Sequence, residues 1–167
     1  MFATVRSTAF ALCLAPVVPP AAVADGVPPP SLLGTIELWL EVNFGLPPSK
    51  QSPLLATVSA SRLVEIRYGA GSTVSPGQVV AAYDDLSRTI YLPEGWTGRT
   101  PAQLSLLVHE MVHHLQASAG MRFACPGERE VLAYRAQDAW LGLFGMDLES
   151  ALGVDPTMLL VTTVCTH

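Results

Sequence analysis

The stretch TPAQLSLLVHEMVHHLQASA, residues 100–119, decides the fold, because it holds the clearest helix start in the chain and three of its four histidines. Thr100 can cap a helix, Pro101 suits the first turn, and Gln103 completes a capping box with Thr100. The pattern predicts a helix over this stretch that stops at Gly120. Its apolar residues cover a broad part of the helix surface, which is typical of a central, buried helix.

At its centre this helix reads HEMVH, residues 109–113, which is the H-E-x-x-H pattern. His109 and His113 lie one turn apart on one helix face, so both can bind one tetrahedral Zn²⁺ ion. Glu110 is rotated about 100° from His109, and it can take a proton from water in the metal's open position. The pattern predicts one zinc ion per chain and Glu110 as the general base. The alternative is a buried helix whose histidines bind no metal, although burying such groups without a common task is costly.

A catalytic zinc site needs a third protein ligand, with water in the fourth place. His114 is a poor candidate, since it points about 100° away from His113. We expect the ligand on the next predicted helix, which begins after Pro126 and Gly127, runs to about residue 144 and can return alongside the first. Glu130 is the predicted ligand and Glu128, on a different face, is the alternative. The helix dipole alone favours an acid in the first turn, which is the structural interpretation of either residue.

The face of the second helix that carries Glu130 also holds a small residue and two polar ones, at helical spacing: Ala133, Tyr134 and Gln137. Gln137, or its neighbour Asp138, can bond the second nitrogen of a zinc-bound histidine. Gln116 on the first helix can orient a ligand in the same way, unless it is only a polar residue at a helix end. Tyr134 can stabilise an oxyanion, and its alternative role is that of a core tyrosine.

The motif of residues 109–113, followed by Glu130 and Tyr134, resembles the zincin metallopeptidases, and within them the gluzincins. In that family a following helix supplies a glutamate as third ligand. The resemblance covers residues 89–141 and implies a peptidase with a strand along its cleft. Residues 89–92 are the candidate strand, whose exposed edge would pair with an extended peptide.

The chain departs from the best-known gluzincins in the second helix, where Tyr134 stands at the place of their aspartate, four residues after Glu130. It also lacks the third histidine that follows the motif in metzincins. The chain looks most like the small exported zincin-like domains of bacteria that have no assigned substrate.

The remaining sequence predicts an α+β fold, in which a small antiparallel sheet packs on a helical half. A first helix is predicted between Ser31, which can cap it, and Gly45, which ends it. A last helical segment is predicted over residues 156–164. Three strands are predicted, of which the last two form a hairpin: residues 62–69, 79–83 and 89–92.

Residues 1–24 are predicted to be a secretory signal peptide, because Arg6 precedes a short apolar run and a small-x-small cleavage pattern. The run is broken by prolines and is too short for a membrane anchor. Residues 25–31 would then be a Pro-rich linker and residues 32–167 the zincin-like domain. We therefore expect a secreted or periplasmic protein without a stable membrane anchor after cleavage.

Signal cleavage would remove Cys13 and leave Cys125 and Cys165 as the remaining cysteines. In an oxidising compartment this predicts one disulfide, whereas two unrelated buried thiols are the alternative. Cys125 as a fourth protein ligand would make the zinc site closed and structural.

The composition limits the class of partner. Half of the 167 residues are hydrophobic, 14% are charged, and the formal net charge is -5. This indicates one folded domain and argues against a nucleic-acid partner, which usually meets a basic surface. The leading hypothesis is a zinc metalloendopeptidase that acts on a peptide or protein substrate, with the oligomeric state left open. The alternatives are a catalytically inactive, zinc-stabilised binding module and a hydrolase of some other amide, such as one in the cell wall.

Overall fold

The computed structural model describes residues 31–165, so the predicted signal peptide and nearly all of the predicted linker lie outside the described residues. The class is α+β, as predicted. No helix of this part of the chain is long and apolar enough to cross a membrane. The elements are, in chain order, α1 (Leu32–Phe44), β1 (Leu54–Val58), α2 (Ala60–Tyr68), β2 (Ala82–Asp84), β3 (Thr89–Pro93), α3 (Pro101–Ser118), α4 (Pro126–Gly142), α5 (Leu148–Leu152) and α6 (Pro156–Thr163).

The three strands form a mixed sheet in the order β1-β3-β2. β2 and β3 pair antiparallel, which confirms the predicted hairpin. Its turn is closed by the Asp84 carboxylate, which accepts the Leu86 N–H at 3.0 Å and the Ser87 hydroxyl at 2.7 Å. β1 pairs with β3 in parallel, so the prediction of a wholly antiparallel sheet is wrong. β1 was not predicted, because Leu54 and Leu55 are consecutive and both exposed and give no period-2 pattern.

Residues 62–69 were predicted as a strand, but residues 62–68 belong to helix α2 and Gly69 is its C-cap. The Ser59 hydroxyl caps this helix by accepting the Arg62 N–H, and Leu63 and Val64 are buried against the sheet. The apolar positions in so short a segment suit either a strand or a helix. Parallel strands need a crossover connection, and α2 supplies part of it between β1 and β3.

β3 is the central strand, and its side chains alternate between two apolar clusters. Ile90 and Leu92 face the main core with α1 and α3, whereas Tyr91 faces α2. Both backbone edges of β3 are paired, so the predicted exposed edge of residues 89–92 is wrong. The outer edges of the sheet belong to β1 and β2.

Helix α3 begins as predicted, with the Thr100 hydroxyl accepting the Gln103 N–H at 3.1 Å. Every residue from 105 to 116 is buried. Helix α4 returns antiparallel beside it, and the small side chains of Ala133 and Ala136 are fully buried. Two long stretches of backbone can approach closely at such positions, which brings polar groups of both helices within hydrogen-bonding distance.

Cys125 and Cys165 form the predicted disulfide, with their Cα atoms 5.8 Å apart. It ties the start of α4 to the chain just after α6. Gly127 lies under α6, where a Cβ atom would stand 3.0 Å from the backbone carbonyl of Thr163. The disulfide and this close contact together hold α6 on the first turns of α4, which carry Glu130.

Candidate metal centre

Three side chains from α3 and α4 converge on one point: His109, His113 and Glu130. Glu130 Oε2 lies 3.1 Å from His109 Nε2 and 3.3 Å from His113 Nε2, and the two Nε2 atoms are 3.2 Å apart. The histidines share one face of α3, and antiparallel packing brings the first turns of α4 to them. These three residues are the predicted metal ligands.

The outer nitrogen of His109 contacts an amide whose orientation is determined by its other contacts. The Gln137 Nε2 group donates to the Ser105 hydroxyl at 3.3 Å, and that hydroxyl donates to the Ala102 carbonyl at 2.8 Å. The Gln137 Oε1 atom therefore faces His109 Nδ1, at 2.9 Å. An oxygen can only accept, so Nδ1 carries a proton, and in the neutral imidazole Nε2 then turns a lone pair toward the cluster. Gln137 thus takes the orienting position predicted for it.

His113 is held in the same way by Gln116. The Gln116 Nε2 group donates to the Arg129 carbonyl at 3.1 Å, which turns its Oε1 atom to His113 Nδ1 at 3.0 Å. Arg129 Nε also lies 3.1 Å from this Nδ1, and it can donate there only when Nδ1 has no proton. In the tautomer that binds a metal through Nε2, Nδ1 donates to Gln116. Asp85 then retains the Arg129 guanidinium.

When both imidazoles are neutral and carry their proton on Nδ1, the two Nε2 atoms and Glu130 Oε2 are three acceptors that face one another at the centre of the cluster. Such an arrangement is stabilised by a cation, because lone pairs at this distance repel each other. Around a tetrahedral zinc ion neighbouring ligand atoms lie about 3.3 Å apart. The observed separations of 3.1, 3.2 and 3.3 Å match that value, so His109, His113 and Glu130 fit a zinc ion.

Without a metal, the same contacts shift the pKa values of His109 and Glu130. Burial acts to lower the pKa of His109, but the hydrogen bond to Glu130 and the charges of Glu110 and Glu130 outweigh it and raise that pKa. Burial acts to raise the pKa of Glu130, but its contacts with His109 and His113 bring the pKa far below its usual range. These shifts favour a proton within the metal-free cluster, and binding of a metal would displace it.

Glu110 lies beside this cluster and is not part of it. Its side chain is 6% exposed, and within residues 31–165 its carboxylate accepts no hydrogen bond. Its charge acts on both His109 and Tyr134. The Tyr134 ring packs edge-on against the His109 ring, with centroids 4.7 Å apart, and its hydroxyl bonds Thr162. A buried acid and a tyrosine therefore flank one side of the candidate centre.

Two arginines at the site were not predicted. Arg67, in the last turn of α2, places NH2 3.1 Å from Glu130 Oε1. Arg129 forms two bonds of 3.0 and 3.1 Å with Asp85, in the turn of the hairpin. Arg129 could have been suspected from its place next to Glu130. Arg67 is 63 residues distant in sequence from Glu130, and no local pattern indicates it.

Other predicted candidates lie elsewhere. The Glu128 carboxylate accepts the Ala124 N–H at 2.6 Å, so this acid closes the turn before α4. Asp138 accepts the Leu148 N–H and does not contact a histidine. Cys125 is in the disulfide and cannot ligate as a thiolate. His114, as expected, points away and lies between the Tyr83 hydroxyl and the Gln51 carbonyl.

Residues 25–167 match the family described as a domain of unknown function, DUF6647, and the chain belongs to that family. No curated protein and no solved structure matches the chain.

Proposed function

We propose that this protein is a zinc-dependent hydrolase of the zincin type that cleaves peptide bonds. His109, His113 and Glu130 are the metal ligands and Glu110 is the general base. The observation that carries the proposal is the triangle formed by the two histidine Nε2 atoms and Glu130 Oε2, whose edges suit a tetrahedral zinc ion. The amides of Gln116 and Gln137 support it, because each orients one histidine as the outer shell of a metal site does.

Zinc in this cluster would polarise the scissile carbonyl and lower the pKa of a water molecule to about 7. Glu110 has the position for proton transfer, since its buried carboxylate lies beside His109 and no described residue donates to it. It accepts a proton from the attacking water and returns it to the amine as the peptide C–N bond breaks. We assign Tyr134 to the developing oxyanion, to which its hydroxyl would donate in place of the contact with Thr162.

A catalytically inactive, zinc-stabilised binding module is the second candidate, and one observation favours it. The side chains of the three ligands are only 11%, 8% and 12% exposed. Against it, the described part of the chain offers no fourth His, Cys, Asp or Glu to close the cluster. Cys125, which would have closed the site, is bonded to Cys165. An open fourth position is the mark of a catalytic site, so we give the hydrolase precedence.

The zinc content of the purified protein tests the ligand set. We expect one zinc per chain by elemental analysis, lost in Glu130→Ala and retained in the matched control Glu128→Ala, since Glu128 only closes a turn. Zinc retained by the Glu130 variant, or absent from the wild type after zinc is supplied, would contradict the proposal.

Turnover of a peptide library separates the two candidates. The wild type is expected to cleave peptides, and Glu110→Gln is expected to lose roughly 10²–10⁴-fold in rate while keeping its zinc. Zinc binding without cleavage by the wild type would favour the binding module.

We also propose export to the periplasm or the medium. The disulfide supports this, because disulfides persist in oxidising compartments. Sequencing the N-terminus of the protein from its own host tests it. A chain that begins near Asp25 is expected, and a retained Met1 would contradict cleavage.

A further inference from the structure

Arg67 places a positive charge on the solvent side of the candidate metal centre. It follows Val64 by three residues and Leu63 by four, so it continues the buried stripe of α2 beyond the sheet and toward α4. There its NH2 group donates to Glu130 Oε1 at 3.1 Å. The side chain is still 48% exposed, whereas that of Glu130 is 12% exposed.

The contact between Arg67 and Glu130 leaves each side chain with atoms that can still bind another group. Arg67 donates to Oε1, and the two histidines contact Oε2, so Glu130 keeps one oxygen for a metal and one for the arginine. The guanidinium carries five N–H donors in a planar fork. Glu130 is its one side-chain partner among the described residues, so donors of Arg67 remain available to a ligand at the mouth of the site.

The charges around the centre leave Arg67 uncompensated once a divalent ion is present. Glu110 and Glu130 balance the two charges of such an ion, with both histidines neutral. Arg129 does not add to the excess, because Asp85 pairs with it through two bonds. The solvent side of the candidate centre, where Arg67 lies, is thus cationic, on a protein whose formal net charge is -5.

Arg67 also lies on the side of Glu130 where a ligand would approach the centre. Tyr134 follows Glu130 by one helical turn and packs on the His109 ring, so the arginine, the tyrosine and His109 all lie next to Glu130. A carboxylate on a bound molecule would find a planar pair of donors there, which is the geometry that arginine offers to this group.

We propose that Arg67 is a specificity-determining residue, which binds a carboxylate of the substrate beside the metal. The substrate class is then a peptide with a free carboxylate, from its C-terminus or from an acidic side chain, near the scissile bond. This inference rests on the proposed zinc site, and it adds the chemistry of the group that is recognised.

The test is calorimetric binding of two small hydroxamates to the zinc-loaded protein: succinate monohydroxamate and its neutral amide. Both have the same metal-binding end and differ only in the carboxylate. We expect the wild type to bind the carboxylate probe about tenfold more tightly than the amide. Arg67→Gln should abolish the preference, and Arg67→Lys should retain part of it, because the charge remains but the planar fork is lost.

Arg62→Gln is the matched control, since Arg62 lies on the same helix and pairs with Glu65 away from the centre. It should keep the tenfold preference. The ratio of the two affinities is compared within each protein, so a change in zinc affinity does not alter the result. Equal binding of both probes by zinc-loaded wild type, or a preference that survives in Arg67→Gln, would overturn this inference alone. A wild type that takes up no zinc would overturn the zinc site as well.

A second arm separates the two sources of the carboxylate. Among peptides cleaved by the wild type, amidation of the C-terminus removes one source and replacement of Glu by Gln removes the other. We expect one of these changes to slow cleavage by the wild type and to leave cleavage by Arg67→Gln unaffected. If neither change has an effect, the carboxylate is not recognised.

Discussion

The helical hairpin of α3 and α4 and the sheet half, formed by α2 and the three strands, are buried by different kinds of side chain. The sheet half is held by an apolar cluster around Leu63, Val64, Val79 and Ala82. Among the described residues, seven of the eight buried polar side chains lie in this helical hairpin: Ser105, His109, Glu110, His113, His114, Gln116 and Gln137. Buried polar groups are costly unless they are paired, so their concentration there agrees with the position of the candidate metal centre.

Besides the apolar packing of Ile90 and Leu92 on α3, three side-chain contacts among the described residues join the two regions, and two of them lie at the candidate metal centre. Tyr83 contacts His114, Asp85 pairs with Arg129, and Arg67 pairs with Glu130. The sheet half therefore positions residues around the centre without contributing a ligand.

The largest effect on stability is expected from the sheet half. Leu63 is fully buried, and Leu63→Ala should lower the free energy of unfolding by about 2–5 kcal/mol, because it leaves a cavity. Urea unfolding measures this. If the regions are independent, the zinc affinity of the folded variant should stay within about twofold of the wild type. A loss of zinc affinity together with the loss of stability would show that the two regions are not independent.

The next effect should appear in the hairpin and in metal affinity. Gln137→Leu removes the oxygen that holds His109 Nδ1, and it should weaken zinc binding by about 10–100-fold. Gln78→Leu, at an exposed glutamine before β2, is the control and should leave the affinity unchanged. Competition with a chromogenic chelator measures both. Equal affinities in the two variants would deny Gln137 its orienting role.

Two glycines in α4 differ in the space around them, and together they test whether α6 supports that helix. A Cβ atom at Gly127 would meet the Thr163 backbone at 3.0 Å, whereas at Gly142 it meets nothing within 4 Å. Gly127→Ala should therefore cost about 1–3 kcal/mol through displacement of α6. Gly142→Ala should be neutral or stabilise by up to about 1 kcal/mol, because alanine favours the helix. Thermal unfolding measures the stability of both variants. An equal change in the two would show that α6 does not support α4.

The smallest effect concerns the contact between His114 and the sheet half. Burial lowers the pKa of His114 more than its hydrogen bond to the Gln51 carbonyl raises it. The unfolded chain then takes up this proton at a higher pH than the folded chain does. Stability from this residue is complete above about pH 6.5 and falls as the pH drops toward the lowered value. The zinc-free wild type should lose stability relative to His114→Gln between about pH 7 and pH 5. Parallel pH profiles would refute this assignment.

Much of the helical hairpin of α3 and α4 was predictable, because helix capping and helix spacing depend on residues that are close together in sequence. The cap at Thr100 and the spacing of His109 and His113 depend only on helix geometry. The sheet half was predicted less well: β1 was missed, α2 was taken for a strand, and β3 was given a free edge. Those features depend on which strands pair, and a short apolar segment does not encode that.

The amino-acid sequence alone predicts a capped, buried helix with two histidines on one face and an acid beside them, and it leaves two cysteines that can pair. Only the tertiary structure brings Glu130, and not Glu128, beside the two histidines, because that depends on how α4 lies against α3. It also decided that the outer nitrogens of the histidines meet two glutamine oxygens, and that Arg67 reaches Glu130 across 63 residues of chain. Helix geometry relates residues three or four apart, so a sequence pattern can reveal those contacts. Packing joins side chains that are far apart in sequence, and no local pattern indicates such contacts.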